Sequence, residues 1–323
     1  MQIDPEMIRP ELRRIGKVGY AVNLLASPVR LQRMGRMMAK AKMPIHSRRV
    51  IKQDVWIERP DHSKLRLAIF WAKQVVTKRP ATGILWLHGG GYALESAENT
   101  LVYAEQLVAD GRSVMVAPDY TTSALAPYPA ALDDCYLALT WLRDSATRFG
   151  VNPNQLVVGG DSAVGGLTVA VCLRARDQGD VWQIPIYPML DDRLVLASAK
   201  KNDAPVWNSR VNQAAWDLYL GDLPLDKIPI YAAPGRATDL AGLPPAITYV
   251  GDLDPFLDET CLYAKHLERA GIPVACKVFD GCYHGFDQVA PHADVTKVAH
   301  DFLRTEFFKI GRASCRERVS SPV

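Results

Sequence analysis

The sequence predicts an α/β domain: a mostly parallel central sheet flanked by helices, carrying a helical cap. Three observations support this. Short segments that are apolar throughout recur from about residue 65 onward. Longer amphipathic segments with helical spacing separate them, and strands without polar alternation, divided by helices, belong to parallel sheets covered on both faces. The chain has 323 residues, 48% hydrophobic and 23% charged, which suits one large domain with a sizeable core and excludes disorder and fibrous polymers.

Taken in order, the first 50 residues read as helices punctuated by Pro10, Pro28 and Pro44. Strands are predicted over Leu65–Trp71, Gly83–Leu87, Ser113–Ala117, Gln155–Gly159, Ala246–Val250 and Ala275–Phe279. Helices are predicted near 99–110, 129–144, 165–177, 258–270 and 293–309. Residues 190–235 break the alternation: they hold Trp207, Trp216, two acidic clusters and several prolines, but no clear strand. This stretch reads as an insertion that packs with the N-terminal helices as a lid. Residues 310–323 lose all periodicity and match one reading frame of a common sequencing adaptor. The natural chain is therefore expected to end near Lys309, with an origin in a sequenced clone or metagenome.

The net charge of +3 conceals an asymmetry, with +8 over residues 1–50, −7 over 51–309 and +2 over 310–323. The N-terminal cations interleave with Leu24, Leu25, Leu31, Met34, Met37 and Met38, as on the polar faces of amphipathic helices. Aromatic residues do not interleave with them as in single-strand binders, so no nucleic-acid partner is expected. No apolar run approaches the roughly 18 residues of a membrane span. The best stretch, Val18 to Val29, is broken by Asn23, Ser27 and Pro28. The opening Met1-Gln2-Ile3-Asp4-Pro5-Glu6 is acidic and unlike a secretory leader, which predicts a cytoplasmic protein. Six cysteines, at 135, 172, 261, 276, 282 and 315, show no CxxC or zinc spacing. They read as buried thiols in a reducing compartment, with no metal and no disulfide framework.

Parallel sheets place their chemistry on loops beyond the carboxyl ends of the strands. Three such loops stand out. Leu87-His88-Gly89-Gly90-Gly91-Tyr92 has three consecutive glycines, which bury nothing but let backbone N–H groups converge on an anion. Val157-Val158-Gly159-Gly160-Asp161-Ser162-Ala163-Val164-Gly165-Gly166 runs a strand into a tight turn, with Ser162 at the apex and a helix start behind it. Gly160 and Ser162 fit the G-x-S-x-G elbow, but Val164 stands at the closing glycine, and a short G-x-S match alone is common by chance. The third feature pairs Gly251-Asp252-Leu253-Asp254-Pro255 with Gly281-Cys282-Tyr283-His284-Gly285-Phe286. A serine needs a base to act as a nucleophile, and a buried carboxylate orients that base. The order Ser162, Asp254, His284 is that of α/β-hydrolases, while Asp252 and Asp258 compete for the acid role.

Over roughly residues 50 to 309 the chain resembles the bacterial hormone-sensitive-lipase-like esterases (family IV lipolytic enzymes) of the α/β-hydrolase fold. The resembling motifs include His88–Gly91 and the serine loop. They also include Val116-Ala117-Pro118-Asp119-Tyr120, Pro129-Ala130-Ala131-Leu132-Asp133-Asp134, Tyr187-Pro188-Met189-Leu190 and Asp254-Pro255. Asp161 places the chain nearer the GDSAGG branch. The resemblance implies Ser162 as nucleophile, Asp254 as acid, His284 as base, and the N–H groups of Gly90, Gly91 and Ala163 as oxyanion donors. It implies N-terminal cap helices at 1–50, a catalytic domain in two parts at 51–189 and 236–309, and a cap insertion at 190–235. Short- to medium-chain acyl and aryl esters as substrates, no cofactor, and homodimers through the last strand and helix are also implied.

Two departures accompany the resemblance. Val164 replaces glycine, and a β-branched side chain there is expected to crowd the strand or oxyanion loop by about 1–3 kcal/mol. Tyr120 is followed by Thr121-Thr122-Ser123, where the family continues Arg-Leu-Ala-Pro-Glu. Met34, Met37, Met38, Trp207 and Trp216 are candidates either for the acyl pocket or for plain packing. The expected activity is that of a serine carboxylesterase losing activity on the acid side as its histidine protonates. The alternatives are a hydrolase-fold binding protein without turnover, or the same triad used as an amidase, deacetylase or acyltransferase.

Overall fold

The computed structural model describes residues 2–39, 46–74, 80–94, 96–176 and 181–317, with the side chains of 310–317 outside the described set. The expectations for Pro44, for residue 177 and for residues 318–323 fall outside it as well.

Eight strands form one sheet in the order β1-β2-β4-β3-β5-β6-β7-β8. They are β1 (Val50–Glu58), β2 (Lys64–Ala72), β3 (Ala81–Leu87), β4 (Ser113–Pro118), β5 (Val151–Asp161), β6 (Val181–Ile186), β7 (Ala246–Gly251) and β8 (Val274–Phe279). The helices are α1 (Pro10–Gly19), α2 (Pro28–Met38), α3 (Leu101–Leu107), α4 (Ala130–Ser145), α5 (Ala163–Ala175), α6 (Ser209–Leu220), α7 (Leu257–Arg269), α8 (Phe286–Val289) and α9 (Asp294–Glu317). Pro10 and Pro28 each open a helix, where a missing N–H costs nothing. The last helix runs to Glu317, beyond the predicted end at 309.

From β4 to β8 all neighbours are parallel, joined by helical crossovers. The first two strands supply the antiparallel part of this mostly parallel sheet. β1 pairs antiparallel with β2, and β2 antiparallel with β4. Only residues 59–63 join β1 to β2, enough for a hairpin but too few for the dozen or more that a parallel crossover needs. β1 was not predicted because, as the outer strand, it buries little beyond Val50 and Ile57 and lacks an apolar run. β6 was not predicted because Gln183 and Pro185 interrupt it, and proline removes a ladder donor. Side chains compensate: Gln183 donates to the Pro244 carbonyl (2.8 Å) and accepts from Tyr263 (2.7 Å), while Thr248 donates to the Pro185 carbonyl (2.6 Å).

Successive residues of the central strands point to opposite faces. Leu85, Leu87, Val116 and Val158 pack with α4, α5 and α7, whereas Ile84, Trp86, Met115 and Val157 pack with α3 and α9. Every residue of α5 except Arg174 is buried, as expected of a helix that is apolar all round. The N-terminal helices lie against the insertion: α2 packs on α6, Asn208 donates to Asn23 (3.1 Å), and Gly19 abuts Pro205 and Val206. The cysteine expectation holds for Cys135, Cys172 and Cys282, which are buried, but Cys276 is exposed and Cys261 half-buried. Both sit on or against the outer strand β8, which pairs with β7 alone among the described strands.

Candidate active site

Strands β3, β5, β7 and β8 end at one edge of the sheet, and the four loops that follow converge there. Ser162 sits between β5 and α5 with φ +63° and ψ −130°, a strained conformation for a residue other than glycine. The turn is braced on both sides: the Ser162 N–H donates to the Ile186 carbonyl (2.9 Å), and the Ser162 carbonyl accepts from Gly165 and Met189 (3.0 Å each). Ser162 Oγ lies 2.7 Å from His284 Nε2, and His284 Nδ1 lies 2.7 Å from Asp254 Oδ2. The other Asp254 oxygen accepts from the Phe256 N–H (2.8 Å), and Asp254 is completely buried. The other two acids face elsewhere: Asp252 accepts from the Cys282 N–H (3.3 Å) and Asp258 from the Ser198 N–H (2.8 Å).

The glycine loop interlocks with the serine turn. A Cβ on Gly89 would collide with the Asp161 carboxylate, so loop and turn meet at contact distance only because this residue is glycine. Gly90 and Gly91 take φ +96° and +62°, and Trp207 rests directly on Gly91. Ala163 opens α5, where a helix has N–H groups without intrahelical partners. His88 is buried and stacked on Tyr120 (4.2 Å), whose hydroxyl donates to the His88 carbonyl (3.0 Å). Burial lowers its pKa to about 4, so the ring is neutral at ordinary pH and serves as packing.

Val164 occupies the second position of the helix α5 and is fully buried in the apolar cluster. The glycines beside it make close approaches. A Cβ on Gly160 would lie 2.8 Å from the Val164 carbonyl oxygen, and one on Gly165 would lie 2.9 Å from the Ile186 carbonyl oxygen. At the second departure, Arg59 reaches across from the β1–β2 connection. It pairs with Asp134 (2.5 and 2.8 Å) and lies 3.3 Å from the Thr121 hydroxyl, so a guanidinium stands beside position 121 although the residue there is threonine. Among the pocket candidates, Trp207 lies 6.2 Å from the His284 ring and Trp216 packs with Tyr92 and Tyr219, but Met37 is exposed.

Sequence reasoning missed Asp287. Its buried carboxylate accepts from Tyr249 (2.6 Å), Tyr187 (2.8 Å) and Tyr103 (3.1 Å), and His300 stands 3.8 Å away. The adjacent Gln288 donates to Asp161 (2.7 Å). The available signal was adjacency, because both residues follow His284 within one turn. Cys282, two residues before the histidine, is buried, which pushes its thiol up to about 12 and leaves it unreactive. No group of His, Cys, Asp and Glu among the described residues is arranged to hold a metal ion.

A family model described as alpha/beta hydrolase fold matches residues 84–288. Esterase LipI of Mycobacterium tuberculosis is 30% identical over 256 residues, 78% of this chain and 79% of its own. An arylesterase of Saccharolobus solfataricus is 28% identical, covering 86% of this chain and 91% of its own. The solved structure of a bacterial heroin esterase superposes with a TM-score of 0.79 at 30% identity, covering 93% of this chain and 96% of that one. With its fold, serine turn and relatives in agreement, the chain belongs to the alpha/beta hydrolase fold family, in the esterase branch that its motifs resemble.

Proposed function

We propose that the chain is a serine carboxylesterase in which Ser162 is the nucleophile, His284 the general base and Asp254 its orienting acid. The observation that carries this is the unbroken pair of 2.7 Å contacts from Ser162 Oγ through His284 to Asp254, on loops that the sheet brings to one edge. His284 Nε2 takes the Ser162 proton as Oγ attacks an ester carbonyl, and Asp254 stabilises the resulting imidazolium. The N–H groups of Gly90, Gly91 and Ala163 receive the oxyanion. The tetrahedral intermediate collapses, His284 protonates the departing alcohol, and water activated by the same ring releases the acid.

The substrates in this reading are small acyl and aryl esters, consistent with the esterase and arylesterase names of the relatives. The N-terminal helices and residues 190–235 form the cap, supported by Trp207 lying on Gly91 and α2 packing on α6. No helix among the described residues is long and apolar enough to cross a membrane; the reading places the enzyme in the cytoplasm. It also allows a homodimer through the open edge of β8, which sedimentation would test. The filled triad counts against a binding protein without turnover. The decisive test is hydrolysis of p-nitrophenyl acetate and butyrate by the parent and by Ser162→Ala. Loss of a triad member costs on the order of 10⁴–10⁶ in rate. Turnover by Ser162→Ala within tenfold of the parent would refute the assignment.

A further inference from the structure

We propose that Tyr187 is a positioning residue for His284: its ring walls the imidazole, and its hydroxyl, anchored on Asp287, keeps that wall in place. The inference rests on the catalytic reading of Ser162 and His284.

His284 has one hydrogen bond to its orienting acid, from Nδ1 to Asp254. A single bond fixes one atom but leaves the ring free to swing about it, and the second torsion of histidine is intrinsically broad. Something else must hold Nε2 on Ser162 Oγ. Three aromatic rings stand around the imidazole: Tyr187 at 4.8 Å and 70°, Phe256 at 5.1 Å and 86°, and, farther off, Trp207 at 6.2 Å and 44°. Phe256 is braced through its own N–H on Asp254.

Tyr187 is braced differently. It lies just past β6 with φ +34°, a conformation that a non-glycine residue keeps only when its surroundings enforce it. Its N–H donates to the Tyr249 carbonyl (2.9 Å), and its hydroxyl donates to Asp287 Oδ1 (2.8 Å). The same hydroxyl lies 3.0 Å from the Tyr103 hydroxyl and 3.2 Å from Gln288 Nε2, which also donates to Asp161. The backbone on either side of Tyr187 carries the bonds to Ser162, from Ile186 and Met189. Tyr187 therefore connects the turn that presents the nucleophile to the loop that presents the base. Asp287, held below the usual carboxylate range by His300 and the tyrosine hydroxyls although burial opposes this, is the charged anchor.

Tyr249 and Tyr103 provide the control. Each donates to the same carboxylate, but the Tyr249 ring meets Tyr187 rather than His284, and Tyr103 stacks on Trp86. The experiment compares Tyr187→Phe, Tyr187→Leu, Tyr249→Phe and Tyr103→Phe by thermal unfolding, by kcat and KM on p-nitrophenyl butyrate, and by the rate at which a p-nitrophenyl phosphonate labels Ser162. Tyr187→Phe is expected to lower kcat and the labelling rate about tenfold with KM within twofold. Tyr187→Leu should lower them further. Tyr249→Phe and Tyr103→Phe should lose comparable thermal stability with a much smaller change in kcat. Equal losses of kcat in all three hydroxyl deletions, tracking stability, would overturn the proposal, as would an unchanged kcat in Tyr187→Phe. Should Tyr187→Phe not fold, Asp287→Asn, which keeps the side-chain shape, must show the same loss of kcat at constant KM. A dead Ser162→Ala beside an unimpaired Tyr187→Phe defeats this proposal alone, whereas an active Ser162→Ala defeats the catalytic reading beneath it.

Discussion

Val164→Gly would restore the family's elbow motif, and the fold argues that it weakens the protein. The side chain is fully buried in the cluster that packs α5 against the sheet. Removing three carbons forfeits roughly 0.8 kcal/mol each, or about 2.4 kcal/mol. Glycine in a helix adds roughly 0.4 kcal/mol relative to valine. Relief of crowding would oppose this by about 1–3 kcal/mol if Val164 were strained. Val164 lies within a regular helix, and Gly160, Gly165 and Gly166 accommodate the close approaches around it, so the packing term is taken to win. The net expectation is a destabilisation of about 3 kcal/mol, lowering Tm by about 6 °C at the roughly 2 °C per kcal/mol typical of large domains. Calorimetry gives the first quantity, and initial rates on p-nitrophenyl butyrate at 25 °C, well below the transition, give the second. Turnover should stay within about threefold, since Val164 packs into the apolar cluster and takes no part in the Ser162–His284–Asp254 hydrogen bonds. A higher Tm, or a gain of more than about tenfold in kcat, would show that the valine is strained and that the packing argument is wrong.

Other perturbations probe separate parts of the molecule. Gly91→Ala sets a side chain at φ +62° directly into Trp207, so kcat/KM should fall by about 10²-fold or more, as for loss of an oxyanion donor, while the fold survives. Circular dichroism and esterase kinetics check both halves. Glu259 is fully buried, and that burial pushes its pKa up from 4.5 to about 8, so between those values the folded protein retains a proton that the unfolded chain has released. Its contribution to stability therefore falls as pH rises through that window. The Tm of Glu259→Gln relative to the parent should climb from pH 5 to pH 8.5, and a flat or falling difference would contradict the assignment. Among the described cysteines, iodoacetamide at pH 7.5 should label the Cys261–Cys276 pair, where the hydrogen bond from Cys276 lowers the Cys261 thiol to about 7, and leave Cys135, Cys172 and Cys282 intact in the folded protein without loss of activity. Peptide mass mapping reads this out, and inactivation in step with Cys282 labelling would give that thiol a role it lacks here.

The readable parts of the fold were those in which local chemistry and tertiary role coincide. β3, β4, β7 and the Leu156–Gly160 half of β5 are apolar because both faces are covered, so their burial was written in composition. β6 is equally central but carries Gln183 and Pro185, tolerated only because Tyr263, Pro244 and Thr248 supply distant partners. β1 is an outer strand with little to bury, and no periodicity marked it. Met37 matched a pocket residue by type yet faces solvent, since a helix face is decided by what packs beneath it.

By itself the sequence determined the order of chemistry along the chain: a glycine loop, then Ser162, Asp254 and His284, each behind a strand of a parallel sheet. That order is local, because each residue is set by a tight turn whose glycines and small residues stand beside it. The family resemblance pointed to Asp254, but only the tertiary structure shows which of Asp252, Asp254 and Asp258, all within seven residues, contacts His284. It also decided that Val164 is buried in the apolar cluster, and that Asp287 gathers three tyrosines from α3, β7 and the end of β6. Such contacts join residues up to 184 apart, and the free energy of burying a charge among its partners has no counterpart in any local window of the chain.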